Sequence, residues 1–174
     1  MQPLIITDIE TGGLDFRIHD IIEIGALKVD SVTLNEIDIF EQRIRPKRPM
    51  TKEAMDINGY AEEKWVDALP YDIVIKKYSE FAKGGRFTAQ NITFDWSFID
   101  EAFNRENIKS TLDYHRLDLP SILWFINPDR EKYSLSKVCK EFGIPDEPVP
   151  HRAINGARLL LNVLKYVRTT YKLK

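Results

Sequence analysis

The chain has 174 residues, 43% of them hydrophobic and 30% charged, which suits one domain over residues 1–174 with a sizeable core. No apolar run approaches the ~18 residues of a membrane span, and the N-terminal stretch MQPLIITDIE carries acids where a secretory leader carries a basic flank, so a cytoplasmic protein with no membrane partner is expected. A single cysteine, Cys139, excludes an internal disulfide and a thiolate metal cluster, and a net charge of −2 gives no global basicity, although positive residues gather at Arg43, Arg45, Lys47 and Arg48 and again from Arg152 onward.

Residues 3–10, PLIITDIE, form a nearly continuous apolar run ending in acids, the pattern of a strand buried on both faces. IIEIGALKVD (21–30) and TLNEIDIFEQRI (33–44) are rich in β-formers and flank a short link, which predicts an antiparallel hairpin. Helical patterns begin after Thr51. KEAMDIN stops at Gly59, and PYDIVIKKYSEFAK starts on a proline and stops at Gly84-Gly85. RFTAQ (86–90) is a short strand, followed by the amphipathic helix FDWSFIDEAFNRE. LPSILWFI comes next, then a helix SLSKVCKEFG with Ser134 as N-cap and Gly143 just past its end, with Cys139 as a core thiol. A loop with Pro145, Pro148 and Pro150 leads to HRAINGA and a last helix from about residue 152 to 170. Strands first and then alternating helices and strands argue for a mixed sheet covered by helices.

Asp8 and Glu10 stand two apart at the end of the first strand, so both carboxylates share one face of the sheet. Such acids either hold a hard cation such as Mg²⁺ or sit as a solvated strand end. The Thr11-Gly12-Gly13-Leu14 segment after them is either a plain turn or a backbone cradle for a ligand. Asp95 is an acid in a helix's first turn, favoured by the dipole.

TDIETGGLD followed by IIEIGALKV resembles the first motif of the DEDD family of 3′-to-5′ exonucleases, which includes the proofreading subunit of bacterial DNA polymerase III, ribonuclease T and oligoribonuclease. AQNITFD resembles the second motif through Asn91 and Asp95, with Gln90 where histidine is frequent, and SLSKVCKEFGIPDEPVPHRAINGA resembles the third through His151, Arg152, Ala153 and Ala157. The resemblance implies a ribonuclease H-like α/β fold, a five-stranded mixed sheet flanked by helices. It implies two Mg²⁺ or Mn²⁺ ions held by Asp8, Glu10 and Asp95, and His151 as the general base, a side-chain type that gains and loses a proton near neutrality. Thr11, Gly12, Gly13 and Leu14 would receive the terminal nucleotide, with Asn91 beside it and Phe94 either a stacking surface for its base or a core residue. The implied reaction releases nucleoside 5′-monophosphates from single-stranded or frayed 3′ ends of DNA or RNA, and the family implies a homodimer or a polymerase as partners.

One position departs from the family pattern. Its fourth carboxylate falls at residue 156, where this chain has glycine, so one metal site is expected to be weakened. Asn155 is a neutral neighbour turned about 100° away around the helix. Three readings follow: an active exonuclease with weakened metal binding, a catalytically impaired module of the same fold that binds nucleic-acid ends, or a glycine introduced at 156 by drift or by design. His19 and His115 have no motif behind them.

Overall fold

The computed structural model describes residues 2–146 and 150–172. Five strands form one sheet in the order β3-β2-β1-β4-β5. The first three, β1 (Leu4–Thr11), β2 (Ile21–Val29) and β3 (Glu36–Arg43), pair antiparallel, and β4 (Arg86–Ala89) and β5 (Leu117–Asp118) add parallel to β1. The helices are α1 (Lys52–Asn58), α2 (Tyr71–Ala82), α3 (Ile92–Arg105), α4 (Leu119–Ile126), α5 (Leu135–Phe142) and α6 (Ala153–Thr170). The expected ribonuclease H-like mixed sheet flanked by helices is what the chain forms.

β1 is central because its side chains serve two cores. Leu4 and Ile6 point to the side covered by α4, α5 and α6, and Ile5 and Ile9 to the side covered by α2 and α3. Asp8 and Glu10 continue the Leu4–Ile6 row by the same alternation, so they emerge toward α6. β4 pairs only with Leu4 to Ile6, which leaves the acidic end of β1 beyond the reach of that strand.

The helix predicted to run to Gly84 ends at Ala82, and the αL conformation falls on Gly84, whose φ is +70°. The hairpin link is longer than three residues because Asp30 accepts the amides of Val32 and Thr33 and its own amide bonds Asn35, closing a compact turn over residues 30–35. Ser134 holds the N-cap position of α5 with an extended backbone and no side-chain cap bond, while Gly143 ends that helix at φ +68° and Cys139 is fully buried. The two-residue β5 carries no periodic signal of its own; Asp118 at its end caps α4 through Ser121 N and holds Ile92 N at the start of α3. Pro148 lies outside the described residues.

Candidate active site

The site is assembled where β1 ends, and α6 is brought to it by a missing side chain. Asp8 faces Gly25 across the β1–β2 ladder, and a Cβ on Gly25 would stand 2.5 Å from Ile154 Cα, with Ile154 N and the Ala153 carbonyl carbon closer still. The first turn of α6 therefore rests on bare backbone of β2. One turn on, Gly156 lies against Asp8: a Cβ there would stand 2.7 Å from Asp8 Cγ and 3.2 Å from Oδ1.

Arg152, just ahead of α6, fixes that approach from the other side. Its Nε donates to Glu23 at 2.8 and 3.1 Å and its Nη2 to Glu41 at 2.8 Å. Glu23 is fully buried directly opposite Glu10, and burial pushes its carboxyl up against the pull of Arg152. A β-bulge follows at Glu10/Thr11, where the register with β2 shifts. Sequence reasoning gave Arg152 no role, though the acid inside IIEIG was the signal that a cation must come to meet it.

Asp95 enters from α3 and is buried, 3% exposed. Burial drives its carboxyl well above the ordinary carboxylate range, the Ile9 amide and its own amide pull it down, and the charge of Glu10 pushes it up again. The bond to Ile9 uses the stretch of β1 that β4 leaves uncovered. The charge of Glu10 thus reaches Asp95, and Asp8 packs on Gly156. Among the described residues no three acids, histidines or cysteines form a ready-made metal cluster. The donor set is still that of a hard cation, all carboxylate oxygen, and a cation relieves the mutual repulsion of Glu10 and Asp95.

Beside Glu10 opens a cavity of about 590 Å³. Its wall includes Thr11, Gly13, Leu14 and Phe94, four of the predicted substrate-binding residues, with α1 contributing Glu53, Ala54, Ile57 and Asn58. Leu14 is 85% exposed and Phe94 half-buried, its ring 5.0 Å from that of Phe98, so Phe94 belongs to core and cavity at once. Asn91, in the αL conformation at φ 56°, lines a smaller adjoining groove with Leu14 and Phe94. His151 is exposed, and its amide reaches Ile57 O at 3.4 Å, tying it to the helix that walls the cavity.

Gly12 and Gly13, expected in a backbone cradle, also serve the packing of the loop itself. Neither Gly12 nor Gly13 has a positive φ. A Cβ on Gly12 would meet Met50 Cγ at 3.0 Å and one on Gly13 the His19 ring at 2.6 Å, so these glycines make room for the protein's own side chains. The Gly12 amide is bonded to Asp20 O at 2.9 Å and is committed within the fold. Asp20 itself, 1% exposed, accepts the amides of Lys47 and Arg48 at 2.7 and 2.9 Å and Arg105 Nη1 at 2.7 Å, locking the loop to the segment ahead of α1. The predicted basic cluster is mostly spent this way: Arg48 also faces Glu101, Arg43 pairs with Asp67, and Arg45 donates to Ala68 O. His19 lines the cavity with no motif to announce it, while His115 pairs with Asp113 at the surface.

Acids at the end of the central strand of an open mixed sheet, with a helix laid over them, are the arrangement expected of a ribonuclease H-like exonuclease. The RNase_T exonuclease family matches residues 5–164, and the chain belongs to that family of DEDD-type 3′-to-5′ exonucleases. It is 30% identical over 172 residues to the PolC-type DNA polymerase III of Bacillus subtilis (strain 168) and 29% identical over 170 residues to that of Bacillus cereus. These alignments cover 94% and 95% of this chain and 12% of each relative, so the chain spans about an eighth of the polymerases it matches. Among solved structures, Escherichia coli exonuclease I in complex with a dA16 oligonucleotide superposes with a TM-score of 0.83 at 18% identity, over 97% of this chain and 41% of that one. A zinc-bound complex of the same enzyme with single-stranded DNA reaches 0.87 at 16% identity, over 99% and 42%. Among the described residues no helix is long and apolar enough to cross a membrane.

Proposed function

We propose that this chain removes nucleotides from the 3′ end of single-stranded or frayed DNA by metal-dependent hydrolysis, working beside or within a DNA polymerase. The observation that carries the reading is Glu10, which stands in the wall of a nucleotide-sized cavity with Thr11, Leu14 and Phe94 and whose charge acts on the buried Asp95. Membership of the exonuclease family and the polymerase relatives support it.

Asp8, Glu10 and Asp95 would hold Mg²⁺ or Mn²⁺, which when bound supplies the positive charge that draws in and stabilises the scissile phosphate. The chain does the rest. Leu14 and Phe94 cover the terminal base, and apolar contact of this kind tolerates any sequence. The Ile9 amide fixes Asp95 in place. His151 accepts a proton from the attacking water, and Arg152, clamped to Glu23 and Glu41, holds that histidine's backbone at the start of α6. The product is a nucleoside 5′-monophosphate. Glycine at 156 supplies no fourth carboxylate, which weakens one metal site and favours a second reading, an end-binding module with little turnover.

The test is a 5′-labelled single-stranded oligonucleotide incubated with Mg²⁺ or Mn²⁺. Laddering from the 3′ end by the wild type, lost in Asp8→Asn and Asp95→Asn, supports the enzyme. Tight binding without laddering under any metal condition supports the module.

A further inference from the structure

His19 lies in the loop between β1 and β2, with the outer edge of its ring, Cε1, Nε2 and Cδ2, 2.6 to 2.7 Å from where a Cβ on Gly13 would stand. The side chain is half-buried and forms part of the cavity wall with Leu14 and Phe94. Its inner nitrogen is committed to the loop. Asp15 N lies 3.3 Å from Nδ1, and Asp15 O lies 3.1 Å from it. That carbonyl already accepts the amides of Ile18 and His19, at 3.1 and 2.9 Å, which fills both of its lone pairs. Nδ1 is therefore the acceptor for the Asp15 amide, and in the neutral imidazole the proton sits on Nε2. The ring thus presents an N–H donor at a cavity whose other ionisable wall groups, Glu10, Asp15 and Glu53, are acceptors when charged.

We propose that His19 is a substrate-binding residue, its Nε2–H donating to a sugar or base oxygen of the 3′-terminal nucleotide. The inference rests on the reading of this cavity as the nucleotide site. In this arrangement Gly13 serves the histidine: only a residue without a Cβ lets the ring lie flat against the loop and face the cavity.

Two isosteres separate the ring's two nitrogens. His19→Asn keeps an acceptor near the Nδ1 position and loses the outer donor, whereas His19→Gln places an amide N–H near Nε2. Gly13→Ala displaces the ring without altering it. Binding of a 5′-fluorescein single-stranded oligonucleotide is measured by anisotropy with Ca²⁺ present, alongside melting temperatures. His19→Asn and Gly13→Ala are expected to weaken binding about tenfold, the worth of one hydrogen bond, with His19→Gln within about threefold of wild type. Wild-type binding by His19→Asn, or equal loss in the Asn and Gln variants, overturns the role of His19. A wild type that binds no strand overturns it together with the nucleotide reading of the cavity. A wild type that binds with this pattern but never cuts overturns the enzyme reading alone and leaves His19 in its role.

Discussion

The carboxylate of Asp8 lies in the space that a side chain at residue 156 would need, with Cγ only 2.7 Å from the position of a Cβ there. Gly156 is therefore more than an absent ligand: it lets the first acid of β1 pack on α6. Substitution here moves Asp8 as well as adding a group. Gly156→Ala gains about 1 kcal/mol of helix propensity, partly offset by turning Asp8 aside, and melts within about 2–4 °C of wild type. Gly156→Asp sets a like charge against Asp8. It is expected to melt below wild type in chelator and to gain more than wild type on adding Mg²⁺ or Mn²⁺, because binding to the native state raises its stability. Equal metal-induced shifts in the two proteins would show that a fourth acid at 156 adds nothing to ion binding.

Gly25 should be the least tolerant glycine in the chain. The atoms a new Cβ would meet are backbone of α6, Ile154 N and Cα and the Ala153 carbonyl carbon, which cannot swing aside as a side chain does. Gly25→Ala is expected to cost about 3 kcal/mol or more by overpacking and to displace α6 with His151 at its head. Chemical denaturation reads the cost. Wild-type stability in this variant would contradict the close approach of helix to sheet.

The buried pair of Glu23 and Arg152 carries a pH signature. Burial raises the Glu23 carboxyl in the folded protein, so the native state holds the proton more tightly than the unfolded chain and stability falls as pH rises from the ordinary glutamate range through the raised value. Glu23→Gln removes that slope, and its stability relative to wild type should improve as pH rises through this window. Arg152→Met strands the buried carboxylate and is expected to cost about 2–4 kcal/mol at neutral pH, somewhat below a fully enclosed pair because Arg152 is one-third exposed. Urea denaturation between pH 4 and 8 measures both, and parallel profiles for wild type and Glu23→Gln would contradict the assignment.

Asp20 holds the loop that walls the cavity. Asp20→Asn keeps the shape but loses the charge and one of two accepting oxygens, Oδ2 holding both the Lys47 and Arg48 amides and Oδ1 holding Arg105, an expected loss of about 2–4 kcal/mol. Hydrogen exchange at the Lys47, Arg48 and Gly12 amides should accelerate with it, and unchanged protection there would contradict the anchoring role.

The strand-then-helix order, the caps at Gly59 and Gly143 and the facing of Asp8 and Glu10 are legible because they follow from local periodicity and turn chemistry. β5 is not, since two residues carry no period, and it exists only because Thr88 and Ala89 offer a ladder to Leu117 and Asp118. The motifs mark Asp95 and His151, but the partners that position them are long-range. Arg152 meets Glu23 and Glu41 from the far end of the chain, and Asp20 meets Arg105 across a similar span. His19 is hidden for the same reason: it becomes visible only when the loop folds its ring onto Gly13.

Under the proposed function, the three acids and the cavity beside them serve hydrolysis from the 3′ end. A single-stranded oligonucleotide with a chemically distinct 3′-terminal nucleotide, incubated with the wild-type chain and Mn²⁺, tests it through the first product released, identified by mass. The 5′-monophosphate of that terminal nucleotide is expected first, absent with Asp8→Asn. Release of a nucleoside 3′-phosphate, of the 5′-terminal nucleotide first, or of nothing under any metal condition would contradict the account.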